Sequence, residues 1–330
     1  MTEPALELLR GATDALEGEG AVAAVAREMV RMQGPDAGRY LQGQLSQDVV
    51  AMAGPSAWSF ILQPSGRVTA WLRVHRRADD EYLLEIEPGH GEDLIARLRR
   101  FLLRTDAVIG DPEPWTLVAR RHAPGLLRLG EAPEEATEEV LIGAPVGPGV
   151  AGSDLLLPGA PDAVVARLGL DPVPPAAFER HRIAHAVPAM GAELTEQTIP
   201  GEAGDWVIEA SVSFTKGCYT GQELVTRIHS RVGKVPRPIR LLRLLDAEVG
   251  HAPPIGAEIR RPESETGTGT DTGTVVGAVT SSAAALGSEH PALVLAPLAR
   301  AVDLGAEVDI VDGPRRHRAV VVGPPAVSRS

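Results

Sequence analysis

The segment Lys216-Gly-Cys-Tyr-Thr-Gly-Gln-Glu223 is the most distinctive stretch of this 330-residue chain. It holds the only cysteine, Cys218, and one of only two lysines among 32 basic residues. Its two glycines allow tight backbone turns, and residues 224–235 predict a helix that ends before Pro236. A cysteine close to a helix N-terminus and to an ammonium group generally has thiolate character. The segment therefore predicts a reactive loop centred on Cys218 and Lys216, against the alternative of a buried structural cysteine in a glycine-rich turn.

The overall composition is that of a soluble globular protein with room for two or three domains. Apolar residues make up 44% of the chain and charged residues 23%, which is close to average. The formal net charge of -12 argues against sequence-independent nucleic-acid binding, which needs a basic surface. One basic strip without an acidic residue does occur, and it comprises Arg227, Arg231, Lys234, Arg237, Arg240 and Arg243. We therefore expect no direct nucleic-acid binding and keep a tRNA-binding module as the weakest alternative.

The single cysteine also bears on redox compartment and on metal chemistry. One cysteine cannot form a disulfide within the chain, which fits a reducing compartment. It also cannot hold an iron–sulfur cluster alone, because such clusters usually take four protein ligands. The acidic residues 1–20 lack a signal pattern, and no apolar run is long enough to cross a membrane. We expect a cytoplasmic protein that does not contact membranes.

Two other patterns in the chain resemble known sites but lack the residues that their chemistry needs. Gly18-Glu-Gly-Ala-Val-Ala23 fits G-x-G-x-x-A, but a helical, acidic stretch precedes it where a dinucleotide site needs a strand. His181 and His185 lie four residues apart without the glutamate of an H-E-x-x-H metal motif. We expect them to be surface or core histidines, and we expect no resident metal. Hydrolase and P-loop motifs do not occur in the chain.

The first two thirds of the chain read as alternating helical and strand segments. Residues 1–34 predict a helical opening, and 56–87 predict a β-meander with a turn at Pro64-Ser-Gly66. An amphipathic helix over 89–105 and a strand over 107–110 complete a ferredoxin-like α+β layer. Residues 123–160 look irregular, with short strands at most, and further helices are predicted over 161–168 and 176–187.

After Lys234 the sequence consists of short strand-like runs separated by Gly/Pro turns. This pattern is typical of a small β-barrel. The predicted strands cover 239–245, 275–280, 292–298, 307–311 and 319–322. We place the domain boundary near Pro236, with tandem α+β lobes over 1–235 and a barrel over 236–330. The second lobe spans roughly 50–170, with interleaved boundaries. The low-complexity insert 262–273 is predicted to be a mobile loop.

The 216–223 segment resembles the K-G-C-Y-x-G-Q-E signature of the YgfZ-type folate-binding proteins, with which it agrees at every defined position. Three further stretches resemble that family: Tyr40-Leu-Gln-Gly-Gln-Leu-Ser-Gln-Asp48, the turn Pro64-Ser-Gly-Arg-Val68, and Pro200-Gly-Glu-Ala-Gly204. The resemblance covers most of residues 35–240. Its wider superfamily includes the aminomethyltransferase (T-protein) of the glycine cleavage system.

The resemblance implies a fold and a folate site. The fold is α+β, a three-part cloverleaf of two ferredoxin-like lobes around a central folate cavity plus a C-terminal small β-barrel. Tetrahydrofolate or a derivative would face the 38–48 block, the 66–74 hairpin and the signature loop. The residues implied in folate binding are Gln44, Tyr219, Gln222, Glu223, Arg227 and Arg231. Tyr219 would stack on the pteridine or simply pack, and Gln222 and Glu223 could equally cap the following helix.

The resemblance also implies a function, which is folate-dependent support of iron–sulfur enzymes, including a tRNA-thiolating enzyme, through the thiol of Cys218. That thiol could form a mixed disulfide, carry a one-carbon or sulfur unit, or give one ligand to a shared cluster. Lys216 and Arg227 would stabilise the thiolate or bind the glutamate tail of folate. The superfamily enzyme carries carboxylates at positions that are Ala70, Trp71 and Ala184 here. An aminomethyl or methyl transferase is therefore the second hypothesis, because groups to manage folate protons are missing there.

Overall fold

A long antiparallel sheet organises the first half of the chain. The computed structural model describes residues 1–122, 140–143, 145–229, 235–262 and 273–324. The strands of this sheet are β1 (Ala21–Gln33), β2 (Ser56–Leu62), β3 (Val68–Ala78), β4 (Glu81–Ile86), β5 (Val108–Ile109), β6 (Glu113–Arg121), β7 (Leu141–Gly143) and β8 (Gly152–Pro158). Their order is β2-β3-β4-β1-β6-β8-β7, and β5 pairs with β1. The strand β1 is thus central and joins the strands on either side into one sheet.

The strand β1 occupies residues for which the sequence predicts a helix. The helical expectation over 1–34 is confirmed for α1 (Glu3–Asp14) and is wrong for β1. The apolar residues of β1 fit a helical period, and its Ala, Met and Arg residues favour a helix. Pairing decides otherwise, because β4 and β6 bond to β1 on its two edges and satisfy its backbone groups. Gly20, with φ of 103°, separates the helical opening from the strand.

The predicted β-meander over 56–87 is confirmed as β2, β3 and β4. Helices α2 (Ala37–Gln44) and α3 (Gly91–Arg99) cover one face of this sheet. The core beneath them is fully apolar and includes Leu41, Leu72, Leu84 and Leu98. The predicted ferredoxin-like layer is therefore embedded in an eight-stranded sheet, because β1 also pairs with β6.

Short helices follow the first sheet. They are α4 (Pro161–Leu168), α5 (Pro175–Ala184), α6 (Asp205–Ser211) and α7 (Gln222–His229), with a 3-10 turn at Pro200–Ala203. The predictions over 161–168 and 176–187 are confirmed by α4 and α5. Within the described ranges, none of the helices combines the length and apolar character that crossing a bilayer requires.

A second antiparallel sheet follows residue 238. Its strands are β9 (Ile239–Leu244), β10 (Glu258–Arg260), β11 (Val275–Ala278), β12 (Ser281–Ala283), β13 (Leu293–Pro297), β14 (Glu307–Asp312) and β15 (Arg315–Val322), in the order β11-β10-β14-β15-β9-β13-β12. The five strand-like runs predicted there are confirmed, and β10 and β12 are additional. Most of the insert predicted to be a mobile loop, residues 263–272, lies outside the described residues.

Helix α5 connects the two sheets. Ile183 packs against Leu241 of the second sheet. The Arg180 guanidinium donates to the carbonyl oxygens of Ala284 at 2.8 Å and Pro291 at 2.9 Å. Apolar packing and these buried bonds together hold the second sheet against the helix that lines the first.

Candidate functional site

The signature loop lies between α6 and α7 and packs against the 38–48 block. The Thr220 amide donates to the Gly43 carbonyl at 3.2 Å, and the Ser213 amide donates to the Ser46 carbonyl at 3.0 Å. The Ser46 hydroxyl in turn donates to the Ser211 carbonyl at 2.6 Å. Hydrogen bonds to backbone groups therefore hold the loop against the 38–48 block on both sides of Cys218.

Two glycines bring the loop onto the Pro64-Ser-Gly66 turn. Gly221 has φ of 82°, and a Cβ there would lie 2.7 Å from the Gln63 carbonyl oxygen. Gly66 has φ of 81°, and a Cβ there would lie 2.5 Å from Cβ of Leu224. Both positions combine a left-handed backbone with a contact that leaves no room for a side chain. The structure thus brings together the three segments that the resemblance implies at a folate site.

The Lys216 side chain points from the signature loop towards the 38–48 block. Its ammonium donates to the carbonyl oxygens of Gln42 and Leu45, each at 2.6 Å, and of Gln47 at 2.9 Å. These carbonyls lie at the C-terminal end of α2, where helix carbonyls lack internal partners and attract a cation. Burial lowers the pKa of Lys216 to about 8, although Asp48 acts in the opposite direction.

This placement changes the role expected for Lys216. An ammonium has three N–H donors, and all three are used by carbonyl oxygens. They are therefore not available to Cys218 or to the glutamate tail of a folate. These were the two partners that the sequence analysis expected for Lys216. A lysine suits this position because a compact ammonium can aim three donors at three acceptors, which a planar guanidinium does not do.

Cys218 is exposed and is a free thiol. The residue after it, Tyr219, is 7% exposed and packs in a core cluster with Phe60, Leu62 and Val225. Burial raises the pKa of the Tyr219 hydroxyl to about 12, and the Lys216 ammonium lies 5.2 Å from the centre of its ring. Tyr219 therefore packs in the core and anchors the loop, while the neighbouring Cys218 is exposed to solvent.

The other predicted folate contacts have different surroundings. The Gln222 side-chain oxygen accepts a hydrogen bond from the Tyr219 amide at 3.3 Å, and exposed Glu223 lies in the first turn of α7. Both positions fit the helix-capping interpretation. Gln44 accepts a bond from Arg97 at 3.1 Å. Arg227 is exposed on α7, whereas Arg231, like Lys234 of the basic strip, lies outside the described residues.

A cavity lies between the first sheet and α5. It has a volume of about 570 Å³ including its mouth, and a second pocket of about 690 Å³ adjoins it, sharing Trp58, Arg73 and Val146. The cavity is lined by Arg27, Trp58, Trp71, Arg73, Glu87, Leu117, Arg121, Val146, Val150, Asp154, Phe178, His181, Arg182, His185, Val187 and Pro188. Cys218 is not part of this lining. Trp71 connects the two regions, because it faces the cavity and belongs to the same core cluster as Tyr219.

A buried ion network forms one wall of the cavity. The Arg73 guanidinium bonds to Glu85 at 2.6 Å and to Asp154 at 3.1 Å, and Arg121 also bonds to Asp154 at 2.9 Å. His75 reaches the same Glu85 carboxylate at 3.1 Å. Burial opposes ionisation of Glu85, but Arg73 and the other cationic neighbours outweigh it and hold the pKa of that carboxyl far below its usual range. The Glu85 carboxylate is therefore ionised, and both Glu85 and Asp154 are already paired with arginines.

Two further wall groups are the His181 ring, whose nitrogens have no hydrogen-bond partner among the described residues, and the buried carboxyl of Glu87. The His181 ring is 3% exposed, and neither of its nitrogens has a hydrogen-bond partner among the described residues. Burial, with a smaller contribution from His185, lowers the pKa of His181 to about 3, so the ring is neutral at physiological pH. Burial also raises the pKa of Glu87, whose carboxylate lies 3.9 Å from Arg27. These two side chains can exchange hydrogen bonds with a polar ligand in the cavity.

The comparisons with known proteins agree with this architecture. No protein-family model matches the chain. The chain is 26% identical over 275 residues to the iron–sulfur cluster assembly factor IBA57 homolog, mitochondrial, of Pyricularia oryzae, covering 78% of this chain and 68% of that protein. It is 25% identical over 205 residues to an uncharacterized protein of Haemophilus influenzae, covering 62% of this chain and 66% of that protein. A third relative, the IBA57 homolog of Chaetomium globosum, is covered over only 52% of its length.

A solved structure shares the fold over nearly the whole chain. The crystal structure of glycine cleavage system aminomethyltransferase T from Bartonella henselae has a TM-score of 0.71, covering 96% of this chain and 89% of that one. The sequence identity is 16%, so this likeness concerns the fold. The chain is therefore similar in sequence to IBA57 homologs and similar in fold to a glycine cleavage T-protein.

Apolar groups fill the three positions at which the resemblance implies carboxylates in the aminomethyltransferase. Ala70 and Trp71 are buried in β3, and Ala184 packs at the end of α5. The Trp71 indole donates to the Ser211 hydroxyl at 2.9 Å and stacks on Trp58 at a centroid distance of 4.3 Å. Aromatic surface therefore replaces carboxylate at this end of the cavity.

Sequence reasoning missed the polar wall of the cavity. The sequence has no carboxylate at positions 70, 71 and 184, but the fold brings Glu87 and Asp154 into the wall from β-strand regions that are distant in the chain. A signal was present in β3 and β4, where Arg73, His75 and Glu85 interrupt apolar strands at buried positions. Charged residues at such positions are rare unless they are paired, which could have marked these strands as lining a polar site.

Proposed function

We propose that this protein is an accessory factor for iron–sulfur cluster assembly or repair, with Cys218 as its reactive thiol. The observation that carries the proposal is the geometry of the signature loop. The single cysteine is exposed on a loop whose backbone is fixed by Lys216, Gly221 and Tyr219. A thiol held in this way is accessible to a partner protein while its position is kept constant. The fungal relatives are named as iron–sulfur cluster assembly factors, which supports the same role.

In this proposal Cys218 supplies one thiolate ligand to a cluster that is cargo, and the client or a carrier protein supplies the others. A cluster takes four protein ligands in most proteins, and this chain offers one cysteine. The arrangement therefore favours a transient complex over a resident cluster. The clients in this proposal include enzymes that thiolate tRNA. We place the protein in the cytoplasm, although the names of the fungal relatives include the word mitochondrial.

We further propose that the cavity binds tetrahydrofolate or a derivative, at the centre of a three-part cloverleaf. The wall residues fit such a group. Trp58 and Trp71 offer aromatic surface for a pteridine, and Arg27 offers a cation for a glutamate tail. The unpartnered nitrogens of His181 and the carboxyl of Glu87 would satisfy polar atoms of the ring. Tetrahydrofolate supplies one-carbon units when it is bound.

The test of the cluster role is replacement of Cys218 in cells and in a purified system. In a strain lacking the gene, we expect wild type to restore iron–sulfur enzyme activity and tRNA thiolation, and Cys218→Ala to restore neither. Thr215→Ala is the matched control, because Thr215 is an exposed residue of the same loop. Circular dichroism and protein level would show that both variants fold. Full restoration by Cys218→Ala would contradict the proposal.

Folate binding has a separate readout, so the two parts can fail independently. Tetrahydrofolate titrated into the purified protein should quench the fluorescence of the stacked Trp58 and Trp71 pair. Glu87→Gln should weaken binding, whereas Glu92→Gln, in the first turn of α3 and away from the cavity, should not. Unaltered tryptophan emission at millimolar folate would rule this part out.

A transferase remains the second candidate function, and Glu87 favours it. A carboxyl whose pKa is raised by burial holds its proton at a higher pH than a free carboxyl does, which suits a general acid. Transfer of a one-carbon group from a methylated amine to tetrahydrofolate by the purified protein, lost in Glu87→Gln, would support it. No turnover in that assay, together with the cellular defect of Cys218→Ala, would leave the accessory role.

A further inference from the structure

A cluster of imidazole and carboxylate groups lies on the second sheet, on elements that line neither the cavity nor the signature loop. One potential ligand atom from each of His251, Asp312 and His317 lies within 4.8 Å of the other two. Asp312 ends β14, and His317 lies on the paired strand β15. His251 comes from the segment between β9 and β10. Three separate parts of the second sheet thus converge on one point.

Both histidines present an unused nitrogen. The Nε2 atoms of His251 and His317 are buried and have no hydrogen-bond partner among the described residues. The His317 residue is 8% exposed, and a buried polar atom without a partner normally carries a free-energy cost. The His251 Nε2 lies 3.9 Å from Asp312 Oδ2, too far for a hydrogen bond between them. A ligand between these atoms would satisfy all three.

A carboxylate, that of Asp246, lies behind the cluster. The Nδ1 atom of His317 lies 3.8 Å from Asp246 Oδ1, and the Asp246 carboxylate accepts the Arg318 amide at 3.1 Å. Metal-binding histidines commonly face a carboxylate with the nitrogen that does not bind the metal, which fixes the ring. With Nδ1 facing Asp246, the remaining nitrogen of His317 is directed into the cluster.

We propose that His251, His317 and Asp312 bind a divalent transition-metal ion, with Asp246 as the positioning residue behind His317. Two imidazoles and one carboxylate are a ligand set used by zinc and by non-haem iron(II). Around such an ion ligand atoms lie about 3.4 Å apart, given metal–ligand bonds of about 2.0–2.2 Å. The 3.9 Å pair therefore needs to close by about half an ångström. Binding would tie the β14–β15 hairpin to the segment between β9 and β10.

The experiment measures metal binding by the full chain carrying Cys218→Ala, so that the exposed thiol cannot contribute. Equilibrium dialysis against Zn²⁺, against Fe²⁺ without oxygen and against Mg²⁺ gives affinity and stoichiometry for each ion. Cobalt(II) is the spectroscopic probe, and we expect its visible bands to appear without the intense absorption of a thiolate bond. One zinc or iron ion per chain and no magnesium is the expected result.

Four variants assign the site. His317→Gln and Asp312→Asn each remove a ligand and should weaken binding more than about 100-fold, beyond the loss of about 10–100-fold expected for the positioning variant Asp246→Asn. His290→Gln is the matched control, because His290 pairs with a single carboxylate, Asp14, at 2.7 Å. It should bind as wild type does. Asp312 is part-exposed, so Asp312→Asn keeps the test interpretable if His317→Gln does not fold.

Two results would overturn the proposal. Undiminished affinity in folded Asp312→Asn would place the ion elsewhere. No saturable binding of zinc or iron at millimolar concentration would mean that the two rings, whose centres are 4.5 Å apart, pack together without a metal. Both results are independent of the folate and cluster assays.

Discussion

Replacement of Lys216 by methionine tests whether this residue is an anchor of the signature loop. Methionine retains an apolar stem of similar length and removes the ammonium. The three carbonyl oxygens of Gln42, Leu45 and Gln47 then lose their donor. Gln42 lies in the last turn of α2 and Leu45 is its C-cap, so the helix end and the loop would lose their connection.

The expected loss of stability follows from these three bonds. A hydrogen bond to a charged group contributes about 1.5–3 kcal/mol. Lys216 is only partly buried, so water can reach the carbonyls and recover much of that energy. We therefore expect Lys216→Met to lower the free energy of unfolding by about 3 kcal/mol. Lys216→Arg should lose less, about 1–2 kcal/mol, because a planar guanidinium reaches some but not all three acceptors.

The assay is urea unfolding followed by tryptophan fluorescence, with Arg39→Met as the control. Arg39 is also a cationic residue near the same junction, on α2, but its side chain is 77% exposed, so its loss should change stability by less than about 0.5 kcal/mol. Hydrogen exchange gives the local readout, since the Thr220 amide should lose protection first. Equal stability of Lys216→Met and Arg39→Met, with Thr220 still protected, would refute the anchor role.

The remaining predictions concern burial, backbone conformation and ion pairing. His181 has a folded-state pKa of about 3 and an unfolded value near 6.5. Its contribution to folding stability is therefore fully present above pH 6.5. That stability is lost as pH falls from 6.5 towards 3, because only the unfolded chain takes up the proton. His181→Leu should therefore reduce the loss of stability between pH 7 and pH 4 by up to about 3 kcal/mol, and an unchanged acid sensitivity would contradict this. Gly221→Ala should destabilise by at least about 1–2 kcal/mol in the same urea assay, whereas Gly217→Ala, where a Cβ meets nothing within 4 Å, should be neutral. Arg73→Met leaves two buried carboxylates without their shared cation and should cost about 3–5 kcal/mol; a loss below 1 kcal/mol in thermal and urea unfolding would show that Arg121 and His75 compensate.

Local sequence patterns were enough to predict the meander, the short helices and the strands of the second sheet. These elements follow from alternation, turn residues and amphipathic periods, which act over a few residues. The same holds for the signature loop, where Gly221 could be recognised as a turn residue. Cys218 is exposed on that loop, and its reactivity stays a prediction.

Long-range pairing decided what the sequence could not. The strand β1 has a composition that also suits a helix, and only the two neighbouring strands select the extended form. The direction of Lys216 depends on carbonyls about 170 residues away in the chain, and no local pattern contains that information.

The sequence by itself determined that the single cysteine stands in a glycine-rich loop before a helix, because residue identity and short spacing settle both facts. The tertiary structure alone decided that the lysine beside it supports the backbone and that Trp71, Glu87 and His181 share one cavity. Such groups meet through sheet pairing and through packing between distant segments, so their chemistry arises only when the chain is folded.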